Sequence, residues 1–325
     1  MRRNTLVRRL ALGSFALAIV FLFLPIAFGF MPVRFFETAC VVGRSFGTRM
    51  ACYGFMWNAL TTAVFIGVVG PVIGTYLVHR EMALIGETLA HAAFAGVAVG
   101  TLLFSGSGWS PSLLLSALVA GVIGALGVQY LAERTGSYGD VPIAIMLTGS
   151  FAVGTLVISL GGGLATVDIN SILFGSIATV SGGNVLLMGV LSLVVVAAVA
   201  ITYKPLLFIT FDEEAARVAR FNVSGYNAML ILLTAMVVVG SMQILGVILV
   251  AAMLVVPVAA ASQVMNGFRD SLYASVVVGE VAAVTGLMAS WRYSLAPGAT
   301  IVVVAVAVYL LAVVASNRGI GSRGR

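Results

Sequence analysis

Glu87 and His91 stand four residues apart in Glu87-Thr88-Leu89-Ala90-His91, inside a long apolar stretch. Four residues is about one helical turn, so a carboxylate oxygen and an imidazole nitrogen would project from the same helix face. Oxygen plus imidazole nitrogen is a donor mixture that suits a first-row divalent cation. An i, i+4 pair supplies fewer donors than such an ion prefers, so others must come from neighbouring helices, a second copy or water. Thr88 on the same stretch and Gln243 are candidates. Glu280, another acid within an apolar run, is a candidate for lining a path or taking part in a proton-linked step, because ionisable groups at bilayer depth are costly and mark function. The bland reading of the pair is an internal hydrogen bond that pins adjacent helices. His79, between Val78 and Arg80, reads as an interfacial residue and not a ligand.

The elements that must position these groups follow from composition. Of 325 residues, 61% are hydrophobic and 9% charged, which is the composition of an all-α integral membrane protein. The formal charge of +6 does not point to nucleic acid, because the basic residues are scattered between apolar blocks. No polar stretch is long enough to build a second, soluble domain. Lys204 is followed by Pro205 and no other lysine is present, so the phosphate-cradling pattern ending Gly-Lys-Ser/Thr is absent. If ATP drives this chain, another polypeptide hydrolyses it. An enzyme is disfavoured as well, since one Glu-His pair lacks a nucleophile or second carboxylate at a defensible spacing.

Spans of about 20 apolar residues fall near 10–30, 56–78, 83–104, 112–132, 141–160, 185–203, 226–241, 243–263, 271–291 and 297–316. Ten crossings put both termini in the cytoplasm of a plasma membrane protein. Thirteen basic residues then lie inside, and Arg34, Arg44, Arg49 and Arg292 outside, accounting for all 17 Lys and Arg. That asymmetry is the one inside loops show. The break near Ser241-Met242-Gln243 matters most, because fusing 226–263 into one helix would invert everything downstream and lower the inside count to ten. Two crossings are therefore expected. Residues 168–180 are apolar but too short to span, and read as a surface or re-entrant helix on the outer side. Trp57, Trp109 and Trp291 fall near outer ends of spans, as an interfacial belt requires.

Residues 1–55 form an amino-terminal anchor and an outer loop, and 56–325 the transmembrane domain proper. The first apolar run follows Arg2, Arg3, Arg8 and Arg9 and contains Pro25. Its length exceeds the apolar core of a cleaved signal, so a retained anchor is expected. Cys40 and Cys52 share the outer loop, where a disulfide is permitted and two free thiols are equally compatible with the spacing.

Between the sixth and seventh spans the chain reads Tyr203-Lys204-Pro205-Leu206-Leu207-Phe208-Ile209-Thr210-Phe211-Asp212-Glu213-Glu214-Ala215-Ala216-Arg217-Val218-Ala219-Arg220-Phe221. Asp212 or Thr210 caps a short helix there, with Glu213 and Glu214 in its first turn and Arg217 and Arg220 toward its end, as the helix dipole favours. Such a helix is stiff enough to transmit a displacement; a solvated connector is the plainer alternative.

Four segments together carry a resemblance. They are Gly86-Glu87-Thr88-Leu89-Ala90-His91-Ala92, the loop from Tyr203 to Phe221, the run Leu245-Gly246-Val247-Ile248-Leu249-Val250-Ala251-Ala252-Met253-Leu254-Val255-Val256-Pro257, and Pro297-Gly298-Ala299-Thr300-Ile301-Val302. In this order they resemble the permease subunits of zinc and manganese ABC importers, a type II importer permease architecture, from about Met50 to the end. The resemblance implies a homodimer, two separate cytoplasmic ATPase subunits and an extracellular solute-binding protein that delivers the cation. No cofactor is implied beyond the transported Zn or Mn and the ATP used by the partner. By similarity Glu87 and His91 line the metal path, and Asp212, Glu213, Glu214, Arg217 and Arg220 belong to the ATPase-coupling segment. The family usually carries Asp at the position of Glu87, and often an acid where this chain has Tyr293-Ser294-Leu295-Ala296. The competing expectation is an autonomous carrier in which Glu87 and Glu280 exchange protons as the cation moves.

A helix entering at Ala83 would place Glu87 about 6 Å and His91 about 12 Å deep in a slab of about 30 Å. The imidazole then lies near the midplane, the depth at which transporter sites commonly sit.

Overall fold

A helix that is apolar on every side belongs in the middle of a bundle, and helix α1 (Gly54–His79) occupies that place. Of its most apolar window 94% is buried. In this computed structural model, residues 40–41, 50–104, 113–135, 140–160, 169–178 and 180–321 are described. The expected first span, 10–30, and Trp109 lie outside the described residues.

Around α1 the chain winds α2 (Ile85–Phe104), α3 (Leu113–Thr135), α4 (Asp140–Leu160), the short α5 (Ile169–Phe174) and α6 (Gly182–Ile201). Next come α7 (Tyr203–Phe211), α8 (Glu213–Val218), α9 (Val223–Leu245), α10 (Val250–Ser262), α11 (Phe268–Tyr293) and α12 (Pro297–Gly321). Among the described residues every regular element is helical. Two groups share α1 and α9 as their spine: α2 packs on α3 and α4, while α10 and α12 pack on α11, which itself lies along α1. The interior is continuous, from Phe65, Ile73 and Tyr76 of α1 through Leu89 of α2 to Leu230 and Val238 of α9.

Each of the nine expected spans after the first coincides with a helix, and seven of these are long and apolar enough to cross a membrane. Helix α3, with 23 residues, has the length of a span, whereas α10 runs only from Val250 to Ser262. At 1.5 Å per residue such a helix reaches about 20 Å, less than a hydrocarbon core. Among the described residues, seven helices have the length and apolarity of a full span, and α3 and α10 fill the positions of the other two expected after the first.

The break expected at Ser241-Met242-Gln243 lies a few residues later. Helix α9 continues through Leu245, Gly246 caps it at φ 77°, and a turn at 247–249 leads into α10. Tertiary contact sets that position. Val247 donates its N–H to the Ile172 carbonyl (3.0 Å) and Ile248 to that of Leu173 (3.4 Å), so α5 supplies acceptors for the freed backbone. Gly175 has φ 76°, and a Cβ on either glycine would collide with the other segment's backbone. The 168–180 piece is thus a short inserted helix that satisfies a chain reversal, as non-helical backbone at membrane depth requires. The reversal keeps two helices where one bent helix was the alternative.

At the end of the bundle where α1 begins, the structure joins Cys40 and Cys52 in a disulfide. Tyr53 and Phe55 there cluster with Trp291 at ring distances of 5.5 and 5.9 Å. At the opposite end α7 lies beside the end of α1 and the start of α11, with Phe268 touching the rings of Tyr76, His79 and Phe211, and α8 packs on α7 and α9.

Candidate metal centre

Helix α2 begins at Ile85, two residues later than expected, after a turn in which Ile85 donates to the Met82 carbonyl. Glu87 therefore sits in the first turn and His91 in the second. The later start makes both groups about 3 Å shallower along the helix than the sequence suggested. A carboxylate in the first turn also meets the positive end of the helix dipole.

The pair faces one way, as the spacing demands. His91 Nε2 lies 4.0 Å from Glu87 Oε1, with the imidazole 15% and the carboxylate 44% exposed. That separation is too long for a hydrogen bond. Two ligands held about 2.0–2.1 Å from a tetrahedral ion stand about 3.4 Å apart. A small side-chain rotation brings the two atoms to that distance. The Nδ1 atom of His91 is buried and has no hydrogen-bond partner among the described residues. The ring is held edge-on by Phe151 of α4 at 5.0 Å, and Phe151 in turn stacks on Phe94. Phe151 is the residue sequence reasoning missed, because nothing local marks an aromatic sixty positions away as a wall of this site.

The other candidates are distributed. Thr88 is fully buried, and its hydroxyl lies 3.2 Å from both the Leu84 and the Ile143 carbonyl oxygens, so it ties α2 to α4. Glu280 is half-buried on α11, where its backbone meets Gly67 of α1. Helix α11 packs on α1, α10 and α12, whereas α2 packs on α3, α4, α9 and α10. Glu280 therefore belongs to another part of the bundle. Gln243 falls in the last turn of α9 with its side chain outside the described residues. Among the described residues no group of three His, Cys, Asp or Glu side chains converges. An open apolar trough of about 680 Å³ runs beside the pair, from Ala92 to Phe104 of α2 and across α3 and α4. It includes neither Glu87 nor His91.

The segment from 203 to 221 forms two helices where one was expected. Asp212 is their hinge: it ends α7 and caps α8, its Oδ1 accepting from Ala215 N–H at 2.8 Å. Thr210, the other proposed cap, instead donates back to the Leu206 carbonyl at 2.7 Å. Glu213 pairs with Arg217 at 2.6 Å on the exposed face. Glu214 shares the first turn of α8, and Arg220 follows the helix with φ 62°. His79 lies at the end of α1 where α7 and α11 meet it, against the Phe211 and Phe268 rings. Its Nδ1 lies 2.7 Å from the Thr75 carbonyl, which only accepts, so that nitrogen carries the proton.

Comparison with known proteins agrees with this architecture. The model of the ABC 3 transport family matches residues 52–316. A manganese transport system membrane protein, MntC, of Listeria innocua is 32% identical over 268 residues, covering 80% of this chain and 90% of that protein. The manganese import system permease protein ScaB of Streptococcus gordonii is 28% identical over 267 residues, covering 80% and 90%. Among solved structures, PsaBC from Streptococcus pneumoniae in complex with Fab superimposes with a TM-score of 0.70 at 28% identity, over 80% of this chain and 91% of that one. With the match spanning nearly all of the helical bundle, this chain belongs to the ABC 3 transport family.

Proposed function

We propose that this chain is the membrane permease subunit of an ATP-binding-cassette importer that moves a divalent transition metal, Mn or Zn, into the cell. The observation that carries the reading is the Glu87–His91 pair: two metal-type donors on one helix face, near ligand spacing, with a buried imidazole nitrogen left unpartnered. Family membership and relatives named for manganese support the cargo class. Two permeases form the pathway, an outer binding protein delivers the ion, and cytoplasmic ATPase subunits act on α7 and α8. Both termini lie in the cytoplasm.

The incompleteness of the site fits such a role. A cation entering from the outside is held by Glu87, His91 and water or donors from the second copy, and then released. A closed shell of four protein ligands would retain it. Phe151 limits the imidazole to one face, so the ring stays aimed at the carboxylate.

The test is uptake by a cell whose other metal importers are deleted, together with elemental analysis of the complex pulled down through this chain. Metal-stimulated ATP hydrolysis by that complex is expected. Metal flux by the purified chain alone, driven by a pH gradient, would instead establish the proton-coupled carrier.

A further inference from the structure

We infer that Arg80 is the residue through which displacement of the α7–α8 segment is passed to the helix that bears Glu87 and His91. The inference rests on the reading of this chain as an ATPase-driven permease and adds a transmission residue to it.

Arg80 caps the end of α1. Its guanidinium reaches across the bundle to two other elements: Nε donates to Thr210 Oγ1 of α7 at 3.1 Å, and Nη1 to Asn227 Oδ1 of α9 at 2.6 Å. These partners are 130 and 147 residues away in sequence. They flank the α8 elbow on both sides, so a single planar fork grips the segment where it leaves the bundle and where it returns. A guanidinium is suited to this because its donors are fixed in one plane and its charge strengthens each bond.

On its other side Arg80 is joined to the metal pair by a short, defined turn. Glu81 adopts φ 59°, and Met82 returns its N–H to the Leu77 carbonyl at 2.9 Å, closing the end of α1. Ile85 then opens α2, and Glu87 follows in its first turn. A left-handed residue without glycine is a constrained piece of backbone. A shift of Arg80 therefore moves the start of α2 with it.

The joint also has capacity for a second arrangement. Arg80 Nη2 and the Tyr76 hydroxyl are both buried without a hydrogen-bond partner among the described residues. Burial draws the guanidinium below its ordinary pKa, opposed by the nearby Glu213 carboxylate and Tyr76. Glu213 is at the same time the partner of Arg217. Rotation of α8 would move the Glu213 carboxylate relative to both Arg217, its ion-pair partner, and Arg80, and bring a different partner to the Nη2 arm of Arg80. Two discrete arrangements are what a coupling element needs.

The experiment uses the complete complex in proteoliposomes, with unmodified chain, R80A, R80K and N227A, measuring metal uptake and ATP hydrolysis in parallel. With assembly and hydrolysis in the absence of metal unchanged, R80A is expected to lower metal transported per ATP by about tenfold, as loss of charged hydrogen bonds predicts. N227A should show a smaller loss, R80K should recover part of it, and R80A/N227A should be no worse than R80A. An unchanged transport-to-hydrolysis ratio in R80A, or losses that simply add in the double variant, overturns the role. Should R80A fail to assemble, N227A decides, because it leaves α1 untouched: coupling equal to the unmodified chain then counts against Arg80. Absence of metal-stimulated hydrolysis in the unmodified complex is a separate result, and it removes the ATPase-driven reading itself.

Discussion

The Glu87–His91 pair and the Arg80 joint are seven residues of chain apart and are built in opposite ways. In the pair the polar atoms stand 4.0 Å apart, the carboxylate is 44% exposed, and one imidazole nitrogen is unpartnered. In the joint a half-buried fork makes bonds of 2.6 and 3.1 Å to two separate helices, beside the Phe268 and Phe211 rings that enclose His79. The contrast separates two physical demands. A place where an ion pauses must be easy to complete and easy to leave, so loose geometry is useful there. A place that conveys motion must not absorb it, so dense bonding and a constrained turn are useful there.

Removing a donor from the loose region should produce the largest effect on transport with the least on structure. Glu87→Gln and His91→Ala are expected to lower uptake by about a hundredfold or more, since even residues that only orient a ligand change metal affinity by about 10–100-fold. Both proteins should remain inserted and assembled, because among the described residues neither side chain makes a hydrogen bond that holds two helices together. Normal uptake by both variants, read in the importer-deleted cell, would remove the site.

Loss of structure should come instead from α1, the strut that ends in Arg80. A Cβ on Gly74 would fall inside the Leu254 carbonyl oxygen of α10. Gly74→Val must therefore push two helices apart, at a cost of about 3 kcal/mol or more. The expected outcome is little protein in the membrane at any metal concentration. If Gly74→Val inserts and transports normally, α1 and α10 are not in the contact described.

How much of this was legible in the sequence differs between the two regions for a physical reason. The Glu87–His91 pair is a local feature. Its i, i+4 spacing, helix and common face all follow from 3.6 residues per turn, and the structure only moved the helix start by two residues. The Arg80 joint is a set of partners more than a hundred residues apart, which no periodicity encodes. The helix break shows the same division. A polar interruption, Ser241-Met242-Gln243, marked a break nearby, but its place at Gly246 is set by the docking of Ile172 and Leu173 onto the turn. Thr210 and Asp212 are equivalent caps by residue type, and the structure separates them: Thr210 lies inside α7, bonded to the Leu206 carbonyl and to Arg80, while Asp212 caps α8. Cys40 and Cys52 could be placed in one loop from sequence, while their pairing required coordinates.

A milder break in the dense region is available at the hinge. Asp212→Ala removes the acceptor for Ala215 N–H and should weaken α8 by about 1 kcal/mol. The proposed metal pair, Glu87 and His91, is untouched, so metal binding should be retained while hydrolysis runs with less transport, by about a factor of five. Equal coupling in the variant would mean that α8 is a passive connector.

The smallest effect distinguishes a fastener from a ligand beside the pair itself. The Thr88 hydroxyl is completely buried, and its contacts are the carbonyl oxygens of Leu84 and Ile143, each at 3.2 Å. Thr88→Val keeps the shape of the side chain and removes the donor, leaving the Ile143 carbonyl of α4 without it. The expected cost is about 1 kcal/mol of stability, read as a lower thermal midpoint of the purified complex. Uptake should fall by less than about threefold, because no oxygen that faces the cation has been lost. Glu87 and His91 would hold their geometry through Phe151, which contacts the imidazole independently of Thr88. A collapse of uptake as deep as that of His91→Ala, without a change in the thermal midpoint, would place the Thr88 oxygen among the ion's own ligands and require α2 to rotate during transport.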